Sequence, residues 1–117
     1  GVHANVDVGL MSRLVQNLVE NACKYTPEGG RVRVSLAAAE GRLTLTVADN
    51  GIGIAKRDLP HIWERFWQAD SSRGVDKGSG LGLAMVKQIA DAHGGTLSVE
   101  SEPGRGSTFT FCMECRN

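Results

Sequence analysis

The sequence predicts an α+β domain: a two-layer sandwich with a mixed, mostly antiparallel sheet and helices packed on one face. Three observations predict it. Two segments, Leu10 to Lys24 and Leu81 to His93, repeat their apolar residues with helical period. Four others alternate apolar and polar residues with the period of two of a strand. These strand-like segments come in neighbouring pairs, each joined by a short glycine-bearing link, which is the chain order of hairpins.

In the first helix Leu10, Leu14, Leu18 and Ala22 recur every four residues, with Met11, Val15 and Val19 widening the stripe. Arg13, Asn17, Asn21 and Lys24 follow one another by about a turn on a neighbouring face. Pro27 ends the helix, because the residue before a proline avoids helical backbone. "RVRVSL" then carries Val32, Val34 and Leu36 on one face, and "RLTLTV" carries Leu43, Leu45 and Val47. The Glu40-Gly41 link suits the turn of an antiparallel hairpin. Lys56 to Phe66 reads as a short helix holding Ile62, Trp63 and Phe66. Residues 68 to 80, "QADSSRGVDKGSG", hold almost nothing to anchor a core, and a loop of that length is usually functional or disordered. The second helix stops at Gly94-Gly95. "TLSVE" and "STFTFC" form the second strand pair, across "SEPGRG".

The 117 residues suit one domain, spanning 1–117, with one core. Thirteen basic and thirteen acidic residues cancel, so no overall positive field recommends nucleic acid or anionic lipid as a partner. No apolar run approaches the roughly 20 residues that span a bilayer. Three cysteines without a framework argue for a reducing compartment. "CMEC", Cys112 to Cys115, has no second pair to complete a tetrahedral zinc site.

One acid stands out. The period of two puts Asp49 on the same face as Leu43, Leu45 and Val47, and a carboxylate there is costly unless something hydrogen-bonds to it. Asp49 opens "DNGIGI", the first of three glycine-bearing segments; "GSGLGL" (Gly78 to Leu83) and "GRG" (Gly104 to Gly106) are the others. "GSGLGL" opens the second helix, where freed backbone amides and the positive end of the helix dipole favour an anion. It is neither a P-loop nor a dinucleotide fingerprint, since the spacing is G-x-G-x-G and a loop precedes it. Asn17 and Asn21 offer amide oxygens, hard donors suited to magnesium, and Lys24 offers a charge for phosphate.

"NLVENACKYT" (Asn17 to Thr26), "DNGIGI", "ERFWQAD" (Glu64 to Asp70), "GSGLGLAMVKQIADAHGG" (Gly78 to Gly95) and "GRGSTFTF" (Gly104 to Phe111) stand in order along nearly the whole chain. Together they resemble the signature boxes of the catalytic, ATP-binding domain of sensor histidine kinases, a domain with the Bergerat fold and a mobile ATP lid. The resemblance implies ATP and Mg2+ as cofactors. It implies that Asp49 accepts a hydrogen bond from the adenine amine, that Gly51, Gly53 and Ile54 lie against the base, and that Ser107 stands near an adenine-bound water. Asn21 is the implied magnesium ligand, with Asn17 assisting and Lys24 and Tyr25 meeting phosphate or ribose. Phe66 and the loop to Ser79, Lys77 included, form the implied lid. Gly78, Ser79, Gly80, Leu81, Gly82 and Leu83 form the implied phosphate turn. Two departures are the close "FCMECRN" and Gln68, where many relatives carry arginine.

Relatives in the wider superfamily that hydrolyse ATP use a glutamate one turn before the magnesium asparagine. Here that residue is Asn17, which has no lone pair basic enough to activate water. Glu20 is rotated about 100° from Asn21 around the helix. The expected reaction is therefore transfer of the terminal phosphate to a histidine. His3, His61 and His93 lack the surroundings of the family's acceptor, so the acceptor is expected on a separate dimerising helical hairpin that this chain lacks. The other implied partner is the receiver domain of a response regulator. The isolated domain is expected to be a cytoplasmic monomer, and its parent a homodimer anchored in the bacterial inner membrane. Two other readings are a nucleotide-binding module without catalysis and a relative that phosphorylates serine. The asparagines, Lys24 and the glycine segments favour transfer over the first, and the long lid with "NACKYT" favours histidine over the second.

Overall fold

The computed structural model describes residues 7–64 and 82–114. Helix α1 spans Val8–Lys24, strand β1 Val32–Ala39, β2 Arg42–Asp49, helix α2 Gly82–Ala92, β3 Thr96–Glu102 and β4 Gly106–Glu114. The strands form one sheet in the order β1-β2-β4-β3, and among the described residues all three ladders are antiparallel. The predicted α+β sandwich is the observed one.

α1 starts two residues earlier than its apolar stripe suggests. Asp7 caps it, accepting the Leu10 N–H on its carboxylate at 3.0 Å, and so satisfies one of the amides a helix start leaves open. The helix lays Leu14, Leu18 and Ala22 on the sheet, all essentially without solvent contact. Burying a leucine of this kind contributes about 1.5–3 kcal/mol. α2 adds Ala84, Val86, Ile89 and Ala90. From the sheet the core receives Leu45 and Val47 on β2 and Phe109, Phe111 and Met113 on β4.

The β1–β2 turn is a two-residue loop with Glu40 and Gly41 both at positive φ, 54° and 76°. Two left-handed residues match the twist of the flanking strands.

One expectation differs from the structure. Lys56 to Phe66 is not a regular helix over its described part: only a single 3-10 turn forms, Leu59–His61, with Pro60 inside it. What holds this segment is side-chain burial, since Ile62 is in the core and Trp63 meets Phe109 edge-on at 5.8 Å. Its end at Phe66 lies outside the described residues. In β1 the expected shared face is observed, but much of it is open. Val34 and Leu36 lie on the core-facing side, opposite Val47 and Leu45, yet they are 48% and 67% exposed. β1 is an outer strand of the sheet, whereas the strands that supply the core are the central pair, β2 and β4.

Candidate functional site

The register of the three ladders sorts the core face into rungs. Val34, Val47, Phe109 and Val99 form one, and Leu36, Leu45, Phe111 and Leu97 the next. The rung at the end of β2 is different: Val32, Asp49, Ser107, Ser101. Three neighbouring strands thus end their inward-facing apolar rows on a polar side chain at one level.

Asp49 is half-buried there. One carboxylate oxygen accepts the Gly51 N–H at 2.9 Å, and the Ser107 N–H also bonds to the carboxylate. Burial raises the Asp49 pKa above the ordinary 3.8, and the two backbone bonds oppose the shift without cancelling it. Ser107 is 7% exposed and hydrogen-bonds the Ser101 hydroxyl at 2.8 Å.

The loop after Asp49 is stitched on both sides. Ile52 donates to the Tyr25 carbonyl at the end of α1, and Gly104 donates to the Ile52 carbonyl from the β3–β4 turn. Ile54 N–H reaches the Ser101 hydroxyl at 2.7 Å. Both glycines of "DNGIGI" have a reason in this stitching. A Cβ on Gly51 would stand 2.2 Å from the Tyr25 carbonyl oxygen, and one on Gly53, at φ +74°, 2.0 Å from that of Glu102. Asn50, for which the sequence suggested no role, accepts the Arg31 N–H at 2.6 Å and so ties the loop to the start of β1.

α1 meets this loop through the Tyr25 carbonyl, with Asn21 and Lys24 in its last turn and Asn17 one turn further back. The Asn17 amide nitrogen donates to the Gly82 carbonyl at 3.4 Å, linking α1 to the first residue of α2. That bond uses the donor side of the amide and not its oxygen. Lys24 lies over the Tyr25 ring with its ammonium 5.3 Å from the centroid. Glu20 is exposed and accepts from Gln16 one turn away. Gly82 has open space where a side chain would begin, and Leu83 is half-buried against the core. Phe66, Lys77, Gly78, Ser79, Gly80 and Leu81 lie outside the described residues.

Among the described residues no three His, Cys, Asp or Glu side chains gather as a metal site. A cation here would be held by amide oxygens, water and a ligand's own phosphates. That donor set is hard, oxygen-only and low in protein ligands, and it fits magnesium. By the family resemblance Asn21 would hold it, with Asn17 assisting, and the ion would neutralise phosphate charge.

Ser101 is the residue that motif reading passed over. Its signal was present: it continues the inward row Leu97, Val99 as Asp49 continues Leu43, Leu45, Val47.

Two helices thus pack on one face of an antiparallel sheet, and an acid-bearing rung stands beside glycine turns at its end. The profile of the family described as "Histidine kinase-, DNA gyrase B-, and HSP90-like ATPase" matches residues 6–117, and the chain belongs to that family. Within it, the chain is of the sensor histidine kinase type. It is 45% identical over 108 residues to the sensor-like histidine kinase SenX3 of Mycolicibacterium smegmatis, covering 92% of this chain and 28% of that protein. It superposes with a TM-score of 0.82 on the mycobacterial sensor histidine kinase MprB, at 35% identity, over 94% of this chain and 73% of that one. Full-length ShkA in complex with AMPPNP matches with a TM-score of 0.80 at 35% identity, over 93% of this chain and 22% of ShkA. The chain thus spans about a quarter of the length of the curated relative and of full-length ShkA.

Proposed function

We propose that this domain binds magnesium–ATP and transfers the γ-phosphoryl group to a histidine on a separate dimerising hairpin of the same protein, for relay to a response-regulator receiver domain. The observation that carries the reading is the half-buried Asp49, held by the Gly51 and Ser107 N–H groups at the end of an apolar face. An acid kept in so costly a place suits a ligand that donates to it, as the 6-amino group of adenine does. ShkA holds an ATP analogue.

In the transfer, the bond from γ-phosphorus to the β,γ-bridging oxygen breaks, a phosphorus–nitrogen bond to imidazole forms, the imidazole proton is released and ADP leaves. Such a step needs positioning and charge neutralisation more than covalent help from the protein. Asn21 and Asn17 would hold the ion, and Lys24 and Tyr25 would meet phosphate or ribose. Hydrolysis has no base on α1: Asn17 bonds to Gly82, and Glu20 turns outward to Gln16. The parent protein is a homodimer in this reading, anchored in the bacterial inner membrane with this domain in the cytoplasm.

The test supplies the acceptor hairpin in trans with γ-labelled ATP and magnesium. Acid-labile label on the hairpin's histidine is the expected result. Acid-stable label would indicate a serine acceptor, and tight binding without transfer a non-catalytic module; either overturns the proposal.

A further inference from the structure

The polar rung contains a hydroxyl whose hydrogen bonds can be assigned completely. The Ser101 Oγ lies 2.8 Å from the Gly106 carbonyl oxygen, 2.7 Å from the Ile54 nitrogen and 2.8 Å from the Ser107 Oγ. A carbonyl only accepts, so the single proton of Ser101 goes to Gly106. The Ile54 N–H only donates, so it takes one of the two Ser101 lone pairs. What remains for Ser107 is the other lone pair, and Ser107 must therefore donate. Its only proton is spent inside the protein, and its oxygen has acceptor capacity alone for anything else. Asp49, its cross-strand partner, is an acceptor too when ionised.

We propose that Ser101 is a positioning residue for base selection: by fixing the direction of the Ser107 hydroxyl, it leaves the rung with acceptors only and so selects a 6-amino purine over a 6-oxo purine. The inference rests on the reading that Asp49 and Ser107 face the purine. A 6-oxo purine brings a carbonyl where adenine brings an amine with two protons, and the one proton it gains at N1 can serve only one of two acceptors. Against two acceptors that carbonyl finds no proton, and an unmatched buried polar group is rejected more strongly than a matched one is attracted. Without Ser101 the Ser107 proton is released to turn toward the ligand, and the rung then accommodates either base. Ser101 does this from outside the base contact. Its bond to Ile54 also holds the loop that carries Gly51 and Gly53, so direction and placement come from one side chain.

Dissociation constants of ATP and inosine triphosphate, measured on the 117-residue chain with magnesium, give the test. The two ligands share triphosphate and ribose, so a general loosening of the site weakens both and leaves their ratio alone. Ser101→Ala is expected to cut the preference for ATP by about fivefold, the worth of roughly one hydrogen bond. Ser101→Thr keeps the hydroxyl and is expected to stay within about twofold of the wild type, a difference well below one hydrogen bond. Because Ser101 acts through Ser107, the Ser101→Ala/Ser107→Ala double variant is expected to lose no more selectivity than Ser107→Ala alone. An unchanged ratio in Ser101→Ala, or additive losses in the double variant, overturns the inference. Asp49→Asn separates the two levels. If it collapses the ratio while Ser101→Ala does not, only the role of Ser101 falls. A wild-type chain that binds ATP and inosine triphosphate alike removes the base-pocket reading and the role of Ser101 together.

Discussion

Asp49 and Ser107 face each other across the β2–β4 ladder, and the backbone N–H of Ser107 bonds to the Asp49 carboxylate. The pair joins two adjacent strands at the level where the apolar core ends. Burial at that level resists the charge of the acid, and the Ser107 bond offsets part of the resistance.

The Asp49 pKa lies above 3.8, with burial as the main cause and the Gly51 and Ser107 bonds opposing it. The native state therefore keeps this proton to higher pH than the unfolded chain does. Stability from the protonated form is full below about 3.8 and is lost as pH rises through the native pKa. Thermal unfolding across that window should show a decline with pH in the wild type that is flatter in Asp49→Asn. The same variant should lose its preference for adenine, since an amide presents a donor as well as an acceptor. Parallel pH profiles of the two proteins would contradict the burial argument.

Asn21→Ala should lower phosphoryl transfer to the hairpin by at least about a hundredfold, the scale seen when a charge-stabilising group is removed. ATP should still bind, because the base pocket is untouched. Single-turnover transfer and calorimetry, run side by side over a magnesium series, check both halves of the claim.

Gly53→Ala puts a Cβ into a backbone at φ +74° and 2.0 Å from the Glu102 carbonyl oxygen. The left-handed conformation alone costs about 1–3 kcal/mol. Since the loop lies between α1 and the β3–β4 turn, nucleotide affinity should fall along with the unfolding midpoint. A variant as stable as the wild type would mean the loop moves freely.

His93 joins the end of α2 to the start of α1. Its Nδ1 donates to the Ile89 carbonyl at 2.8 Å, which leaves Nε2 to accept the Asp7 N–H at 3.0 Å. His93→Ala should cost about 1 kcal/mol for each bond lost and speed amide exchange at Asp7 and Leu10. Hydrogen exchange read residue by residue checks it, and unchanged protection at those two amides would contradict it.

Leu14→Ala removes a fully buried side chain from the contact between α1 and the sheet. About 2–5 kcal/mol of stability should go with it. Denaturant unfolding measures this directly.

Much of this architecture is legible in the residues. The four-residue repeat of Leu10, Leu14, Leu18 and Ala22 shows which side of α1 meets the sheet, and period two places Asp49 inward. Periodicity reports a face, however, and not whether another layer covers it, so the face of Leu36 is legible and its exposure is not. The Asp7 cap lies before the apolar stripe, where the pattern carries no signal, although the residue type does. Lys56 to Glu64 holds a helix-like set of apolar residues around Pro60, and anchoring by Ile62 and Trp63 outweighs the regular hydrogen bonding. Sequence reading singled out Asp49, Asn17 and Asn21 from the residues and Ser107 from the resemblance. It missed Ser101, because a serine ending a strand looks like any solvated edge until the register shows which residues share its rung.

The most direct measurement follows the backbone amide resonances while magnesium–ATP is titrated in. Shifts concentrated at Asp49, Gly51, Ser107 and Asn21, with the sheet's outer face around Thr46 and Thr110 unmoved, are what the base-and-metal pocket requires. If those four resonances hold still while the nucleotide binds elsewhere, or does not bind at all, the pocket described here is not where this domain takes its nucleotide.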